Sequence, residues 1–465
     1  MADEYDVIVI GGGPAGENVA GRCAEGGLST VLVERELLGG ECSYWACMPS
    51  KTLLRPGEVV ADARRVPGAR QAVTGDVDST AALAWRNQVV TDWDDRYQEQ
   101  WVKESNVDLI RGHGRLMGPK QVEVETEEGR ERIRAGTAVV LATGSSAAPP
   151  SVRGLDETRL WDNRDATEAT EVPERLMVLG GGAVGCELAQ AYRRLGSRRV
   201  TLIEAGPRLL PREEPFAGEQ VRAALAAEGI LVYTGASAVR VFRDPEDGPV
   251  TAILVSGQSV TADELLVAVG RAPNTWDLGM ETVGLRPGNP VEVDDHLRAT
   301  AISDGWLYAV GDVNGRSLFT HMGKYQARLA ADNILGRPTE AWADRKATPR
   351  VIFTDPQVAA VGLTEHEAGE EGIEARVVAV PTESVAGATV RGEEISGTSQ
   401  LIIDRHREVI IGATFTGAGV GDLLHAATIA IVSETPVERL RHAVPAFPTL
   451  SEVWLKLVEG YLSVR

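Results

Sequence analysis

The run Asp6-Val7-Ile8-Val9-Ile10-Gly11-Gly12-Gly13-Pro14-Ala15-Gly16 decides the architecture, because its periodicity changes in a single step. Its first five residues, four of them β-branched and apolar, read as a buried strand. Glycines and a proline follow, then a helical stretch to about Gly26 and a second strand, Thr30 to Val33, that ends on Glu34. Strand, glycine turn, helix, strand and acid together make one mononucleotide-binding unit. The glycines allow a tight turn and close approach of backbone to a pyrophosphate. The helix N-terminus offers N–H donors and a positive dipole end, and the acid receives a ribose hydroxyl pair.

The same device recurs downstream. Leu176 to Leu179 enters Gly180-Gly181-Gly182-Ala183-Val184-Gly185, a helix runs through Tyr192, and the strand Val200 to Ile203 ends on Glu204. One glycine motif alone is weak evidence. Two, each in full βαβ context, predict an α/β chain with two Rossmann-like domains that binds two different dinucleotides. Pro149-Pro150 and Val172-Pro173 flank the entry to the second unit, and Gly270-Arg271-Ala272-Pro273-Asn274 ends it. After Pro349, strand-like runs (Arg376 to Val380, Gln400 to Ile403, Glu408 to Phe415) alternate with a helical stretch from Gly421 to Ser433. That pattern reads as a separate α+β domain on an antiparallel sheet. The expected division is 1–150 for the first dinucleotide domain, 151–271 for the second, 272–345 as a return segment of the first, and 346–465 as the C-terminal domain.

Between the two glycine turns stands Gly39-Gly40-Glu41-Cys42-Ser43-Tyr44-Trp45-Ala46-Cys47-Met48-Pro49-Ser50-Lys51. Two of the chain's four cysteines lie here, on what reads as the start of a helix. At positions i and i+5 of a first helical turn, two sulfurs come close enough to form, break and re-form a bond. A zinc half-site and a pair of core cysteines are the competing readings. No second Cys/His pair follows at metal spacing, and the flanking glycines would then be unexplained, so redox chemistry is preferred and no metal site is expected. Cys23 and Cys186 fall on the helices after the glycine turns and read as buried core.

A formal net charge of −20 over 465 residues argues against nucleic acid or an anionic membrane as partner. The acidic start Met1-Ala2-Asp3-Glu4-Tyr5 runs straight into a strand, without a secretory signal. No apolar run approaches the ~20 residues that span a bilayer, and Leu423 to Val432 reads as a core helix. A cytoplasmic location is expected, where disulfides are usually transient and catalytic.

These motifs, in this order, resemble those of the flavoprotein pyridine nucleotide–disulfide oxidoreductases, the group of dihydrolipoamide dehydrogenase, glutathione reductase and mercuric reductase. The resemblance covers nearly the whole chain. It rests on both glycine turns, the Gly-Gly-x-Cys-x4-Cys-x-Pro-Ser-Lys segment, Gly112-His113-Gly114, Ala142-Thr143-Gly144, and Gly270-Arg271-x-Pro273-Asn274. Tyr308-Ala309-Val310-Gly311-Asp312, Thr354-Asp355-Pro356-Gln357-Val358-Ala359-x-Val361-Gly362 and Pro448-Thr449-Leu450-Ser451-Glu452 complete it.

The resemblance implies FAD and a nicotinamide dinucleotide as cofactors. Gly11, Gly13 and Gly16 then cradle the FAD pyrophosphate, with Glu34 on the adenosine ribose, Gly114 near the adenine, Asp312 on the ribityl chain and Thr143 in the same cofactor site. Gly180, Gly182, Gly185 and Gly270 belong to the nicotinamide side. Cys47 becomes the thiol that faces the flavin and Cys42 the interchange thiol. Lys51 becomes the cation beside the flavin, paired with Glu187. A carboxylate at Glu204 favours NADH over NADPH by repelling a 2′-phosphate, and Arg208 could partly offset that repulsion. Relatives dimerise, so a homodimer is expected.

The sequence also departs from the family. Relatives carry a His-Pro followed by a Glu, where the His moves the proton of the interchange thiol. Here Phe447 precedes Pro448, while Glu452 is kept. His442 is the only nearby substitute, and a proline separates it from Phe447. A lost general base typically costs ~10²–10⁴ in rate. Tyr44 and Trp45 place bulky rings in the Cys-x4-Cys loop, where they would narrow access or stack on an aromatic acceptor. Mercuric reductase uses a C-terminal cysteine pair, and no cysteine follows Cys186 up to Ser463-Val464-Arg465.

Three functions are therefore expected to compete. The first is electron transfer from NAD(P)H through FAD and Cys42/Cys47 to an unidentified disulfide, using another base. The second is reduction of a quinone or other small non-disulfide acceptor on the same fold. The third is a non-catalytic flavoprotein subunit whose site has decayed.

Overall fold

The computed structural model describes residues 3–148, 150–246 and 248–463. Pro149, of the expected boundary pair, and the terminal Val464-Arg465 lie outside the described residues. Contacts divide the chain into two units, one of Met1–Pro49, Asn87–Ala148 and Arg271–Asp344, the other of Ser50–Arg86, Pro149–Gly270 and Arg345–Arg465.

In the first unit, β1 (Asp3–Ile10), α1 (Pro14–Glu25) and β2 (Thr30–Glu34) form the predicted strand–helix–strand device. After β2 come α2 (Gly40–Tyr44) and the start of α3 (Cys47–Arg65), which from Ser50 onward belongs to the second unit, then β3 (Asp108–Arg111), β4 (His113–Leu116), β5 (Gln121–Thr126) and β6 (Gly129–Leu141). The sheet order is β3-β2-β1-β6-β5-β4, with the strand Leu307–Ala309 also paired to β6. β3, β2, β1, β6 and Leu307–Ala309 run parallel, in a register that sets Ile10 against Val33 on one side and Leu141 on the other. β5 and β4 extend the sheet antiparallel. Val7, Ile8, Val9, Val139 and Val140 are fully buried. A strand covered on both faces has no need for polar alternation, which is why the run was continuously apolar.

In the second unit, a parallel sheet of order Leu231–Tyr233, Arg199–Ile203, Arg175–Leu179, Glu264–Val267 carries the second glycine turn. A three-stranded antiparallel sheet, Ala238–Arg243, Val250–Leu254 and Ser259–Ala262, accompanies it. A five-stranded antiparallel sheet follows in the order Arg350–Ile352, Gln357–Gly362, Val409–Gly417, Thr398–Asp404, Ala375–Pro381. Its last three strands and the helix Leu424–Val432 lie where the sequence put strand and helix. Val409–Gly417 is buried at every position, as a central strand should be.

A buried ion cluster ties segments of this unit together. Asp355 accepts from Arg65 at 2.5 Å and from Arg194 at 2.8 Å, and its own N–H donates to Gln190 Oε1 at 2.7 Å. Among the described residues no helix is long and apolar enough to cross a membrane, and no His/Cys/Asp/Glu group has metal-binding geometry.

Candidate active site

The two glycine turns close on the same plan. Gly11 has φ +104°, and a Cβ there would meet Ala142 O at 2.5 Å; Gly180 has φ +109° with Ala268 O at 2.3 Å. A Cβ on Gly16 would lie 1.8 Å from Gly11 O, and one on Gly185 would lie 1.9 Å from Gly180 O, so helix and strand pack backbone to backbone. Gly13 and Gly182, by contrast, face open space. They are also the N-caps of α1 and of the helix Ala183–Arg194, neither of which has a side-chain cap, so the first-turn N–H groups remain for a ligand.

The acids at the strand ends match as well. Glu34 accepts from Gly12 N–H at 2.6 Å and from Glu36 N–H at 2.7 Å. Glu204 accepts from Gly181 N–H and Gly206 N–H, both at 2.5 Å. Each carboxylate oxygen keeps a second lone pair for a ribose hydroxyl. Arg208 donates instead to the carbonyls of Leu210, Pro211 and Glu213 at 2.8–3.1 Å, which commits its guanidinium to loop closure.

Beside the first turn lies a cavity of about 170 Å³, lined by Ile10, Glu34, Gly114, Thr143, Asn274 and Trp276 among others. Thr143 and Asn274 brace it reciprocally: Thr143 Oγ1 donates to Asn274 O at 2.8 Å, and Asn274 Nδ2 donates to Thr143 O at 2.9 Å. Asp312 Oδ2 accepts from Ser145 Oγ at 2.6 Å, while Arg271 Nε donates to the same hydroxyl at 2.7 Å. Burial raises the Asp312 pKa against the pull of Ser145 and Arg271. The open Gly13, the uncapped α1 and this braced cavity fit an adenine dinucleotide. Gly270 follows the strand Glu264–Val267 with φ +159°.

The cysteine loop differs from expectation. Cys42 and Cys47 do not share one helical turn. Gly39 (φ +102°) and Gly40 (φ +54°) launch the short α2, Trp45 ends it, and Cys47 opens α3. Tyr44 and Trp45 are 1 % and 7 % exposed and pack with Val90, Leu37 and Trp93. The rings anchor the loop to the core instead of narrowing access to the sulfurs, because burying them outweighs continuing the helix.

Cys47 Sγ lies 3.2 Å from Thr320 Oγ1, the first residue of the helix Thr320–Ile334. The Cys42 thiol is pushed far up by its hydrogen bond with Cys47, by burial and by the negative charge of Cys47, against weaker pulls from Thr320 and Lys324. These influences hold Cys42 toward the protonated thiol, while Cys47 opens α3, and a helix N-terminus favours a thiolate. Cys23 and Cys186 are fully buried, and burial pushes the Cys23 thiol up to about 12.

In the second unit Lys51 Nζ pairs with Glu187 Oε2 at 2.8 Å, and the Glu187 side chain is only 4 % exposed. At the C-terminal segment, Phe447 is 77 % and Val444 80 % exposed. No helix links His442 to Phe447. Glu452 opens the helix Glu452–Leu462 and accepts from Gly387 N–H at 3.2 Å. Thr320, Arg271, Asn274 and Glu17 (discussed below) were not singled out from sequence. Only Arg271 and Asn274 had a signal, as members of a quoted motif.

Residues 5–331 match the family described as pyridine nucleotide-disulphide oxidoreductase, and residues 348–458 match its dimerisation domain. A dihydrolipoyl dehydrogenase of Thermus scotoductus is 34% identical over 463 residues, covering 98% of this chain and 97% of that one. A mercuric reductase of Staphylococcus aureus is 32% identical over 456 residues, covering 97% and 81%. Among solved structures, the Cu(II) complex of the HOCl-induced flavoprotein disulfide reductase RclA from Escherichia coli superimposes with a TM-score of 0.86 at 26% identity, covering 100% of both chains.

Proposed function

Since the chain belongs to the pyridine nucleotide-disulphide oxidoreductase family, whose members are FAD-dependent enzymes using NAD(P)H, we propose that it passes electrons from NADH to the Cys42/Cys47 pair and on to a small disulfide. The observation that carries this reading is the asymmetric setting of the pair: Cys47 opens α3 with Thr320 Oγ1 3.2 Å from its sulfur, while Cys47 and burial push the Cys42 thiol toward its protonated form. A decayed site has no reason to keep that asymmetry together with the Lys51–Glu187 pair.

In this reading Gly11, Gly13, Gly16, Glu34, Gly114, Thr143 and Asp312 hold FAD, within segments 1–150 and 272–345. When bound, FAD supplies a two-electron carrier between nicotinamide and dithiol. Gly180, Gly182, Gly185, Glu204 and Gly270 hold the nicotinamide dinucleotide in segment 151–271. Glu204 excludes a 2′-phosphate, and Arg208, with its donors on three carbonyls, gives no relief from that repulsion. Lys51, fixed by Glu187, supplies the positive charge for the reduced flavin. The exposed Phe447 and Val444 favour a homodimer formed through 346–465, in which such apolar groups are covered.

Phe447 favours a second reading. A ring in place of the histidine leaves the interchange thiol without the family's base, and a quinone needs none. The relatives' names span organic disulfides and metal ions, so they do not choose an acceptor. Steady-state NADH oxidation with lipoamide and a small quinone side by side decides. Brisk lipoamide turnover abolished by Cys47→Ser supports the dithiol route. Quinone turnover that survives Cys47→Ser, with lipoamide inert, replaces it by the second reading.

A further inference from the structure

Glu17 is a half-buried acid that no role above uses. It stands in the first turn of α1, its Oε1 is sealed from solvent, and that atom accepts no hydrogen bond. α1 packs on the helix Thr320–Ile334 so closely that a Cβ on Gly323 would lie 3.4 Å from Ala15 Cβ. That contact brings Glu17, two residues beyond Ala15, to the helix that carries Thr320 and Lys324. Thr320 and Lys324 are four apart and share one face. Thr320 touches Cys47, and Lys324 acts on both Cys42 and Glu17. One cation thus faces the redox pair and the orphan carboxyl together.

We propose that Glu17 is the positioning acid that holds the second proton of the reduced Cys42/Cys47 pair, in the absence of a histidine at position 447. The inference rests on the dithiol reading above. NAD(P)H gives up two electrons and one proton, which break the Cys42–Cys47 bond, and one further proton enters from solvent. One becomes the Cys42 thiol proton; the other converts the Glu17 carboxylate to the neutral acid, leaving Cys47 as thiolate. Charge is conserved: the negative charge lost at Glu17 reappears on Cys47. No direct contact is needed, because Lys324 acts on both sites, and a new thiolate that engages this cation weakens its downward pull on the Glu17 pKa.

The groups that face Glu17 are Lys324 from the helix Thr320–Ile334, Glu34 from β2 and Tyr44 from α2. Burial, the largest influence, lifts its pKa to about 7, with Lys324 pulling down and Glu34 pushing up. A carboxyl poised there exchanges its proton at neutral pH.

The test is infrared difference spectroscopy of the anaerobic holoenzyme, before and after two-electron reduction near pH 7, with proton uptake followed by an indicator dye. Alkylation and mass analysis of the same sample count the Cys42 and Cys47 thiols. Reduction by NADH should strengthen the carbonyl band of a neutral carboxylic acid and take up from solvent only the proton that Glu17 gains, because the hydride itself brings the proton of Cys42. In Glu17→Gln the band should vanish and the uptake from solvent fall close to zero, while Glu17→Asp should restore a shifted band. Should Glu17→Gln fail to fold, Lys324→Met gives an independent reading, since losing the cation must move the band's pH midpoint upward. Thiols that appear with no carboxylic acid band, or with a band that persists in Glu17→Gln, overturn the inference alone. If no Cys42 and Cys47 thiols appear on reduction, the dithiol reading falls and takes the inference with it.

Discussion

Glu187 holds Lys51 with one oxygen and the backbone with the other: Oε2 lies 2.8 Å from Lys51 Nζ, and Oε1 accepts the Phe353 N–H at 2.8 Å. The Phe353 ring also sits 5.2 Å from the same ammonium. The lysine is thus oriented from two sides by a nearly buried acid. Lys51→Met should leave that acid unpaired, slow reduction of the bound flavin by NADH roughly 10–100-fold in stopped flow, and lower thermal stability by about 1–2 kcal/mol. Glu187→Gln keeps the Phe353 bond and should lose less stability but a similar part of the rate.

Glu204 clamps two amides, so its variants separate recognition from loop closure. Glu204→Ala should lower kcat/KM for NADH and narrow the preference over NADPH by roughly 10–100-fold, as expected when a hydrogen-bonding group that also repels phosphate is removed. Steady-state comparison of the two nucleotides checks it. An unchanged ratio would mean that the carboxylate only shapes the turn.

Asp355 is the acid-sensitive point of the second unit. Burial alone would raise its pKa, but Arg194 and Arg65 more than offset that and hold it below the usual carboxylate value. A depressed folded pKa gives stability that is full above the unfolded value and lost as pH falls through the folded one. Unfolding midpoints should therefore drop below about pH 4. Asp355→Asn should cost about 3 kcal/mol or more at neutral pH by stranding two arginines, and that penalty should shrink in acid.

For Glu17 the sign is reversed. Its folded pKa of about 7 lies above the ordinary value, so its ionisation weakens the fold as pH rises from about 4.5 to 7. Glu17→Gln should raise the melting temperature at pH 8 and leave it unchanged at pH 4. Scanning calorimetry at the two pH values reads this directly.

Glu452 survives where its histidine does not, and its bond to Gly387 N–H gives it other work. Any Cβ on Gly387 would meet the Thr449 carbonyl carbon at 2.1 Å, so the two segments touch through bare backbone. Glu452→Ala should cost about 1 kcal/mol of stability and change kcat less than twofold. Phe447→His alone should raise lipoamide turnover by no more than roughly 10-fold, because the glutamate that would orient an imidazole is bonded elsewhere.

What the sequence disclosed depends on the range of the constraint. Gly11, Gly16, Gly180 and Gly185 are legible because backbone contacts within a few residues exclude any side chain there. Glu34 and Glu204 follow from strand length. The Cys42/Cys47 spacing was equally visible. The break between α2 and α3 was not, since it depends on burying Tyr44 and Trp45 against Val90 and Trp93, residues far along the chain. Local composition does not distinguish rings that line an opening from rings that fill a core. Thr320 and Glu17 left no signal at all, because they acquire meaning only where α1 meets the helix Thr320–Ile334.

The carboxylates of Glu34 and Glu204 grip their own loops through bonds made entirely within the polypeptide. Each nucleotide therefore enters a mould already set, and little chain disorder is lost on its arrival. Protein stripped of flavin should keep the shape of that mould. It should then recapture flavin in a single bimolecular phase, with no slow annealing afterwards.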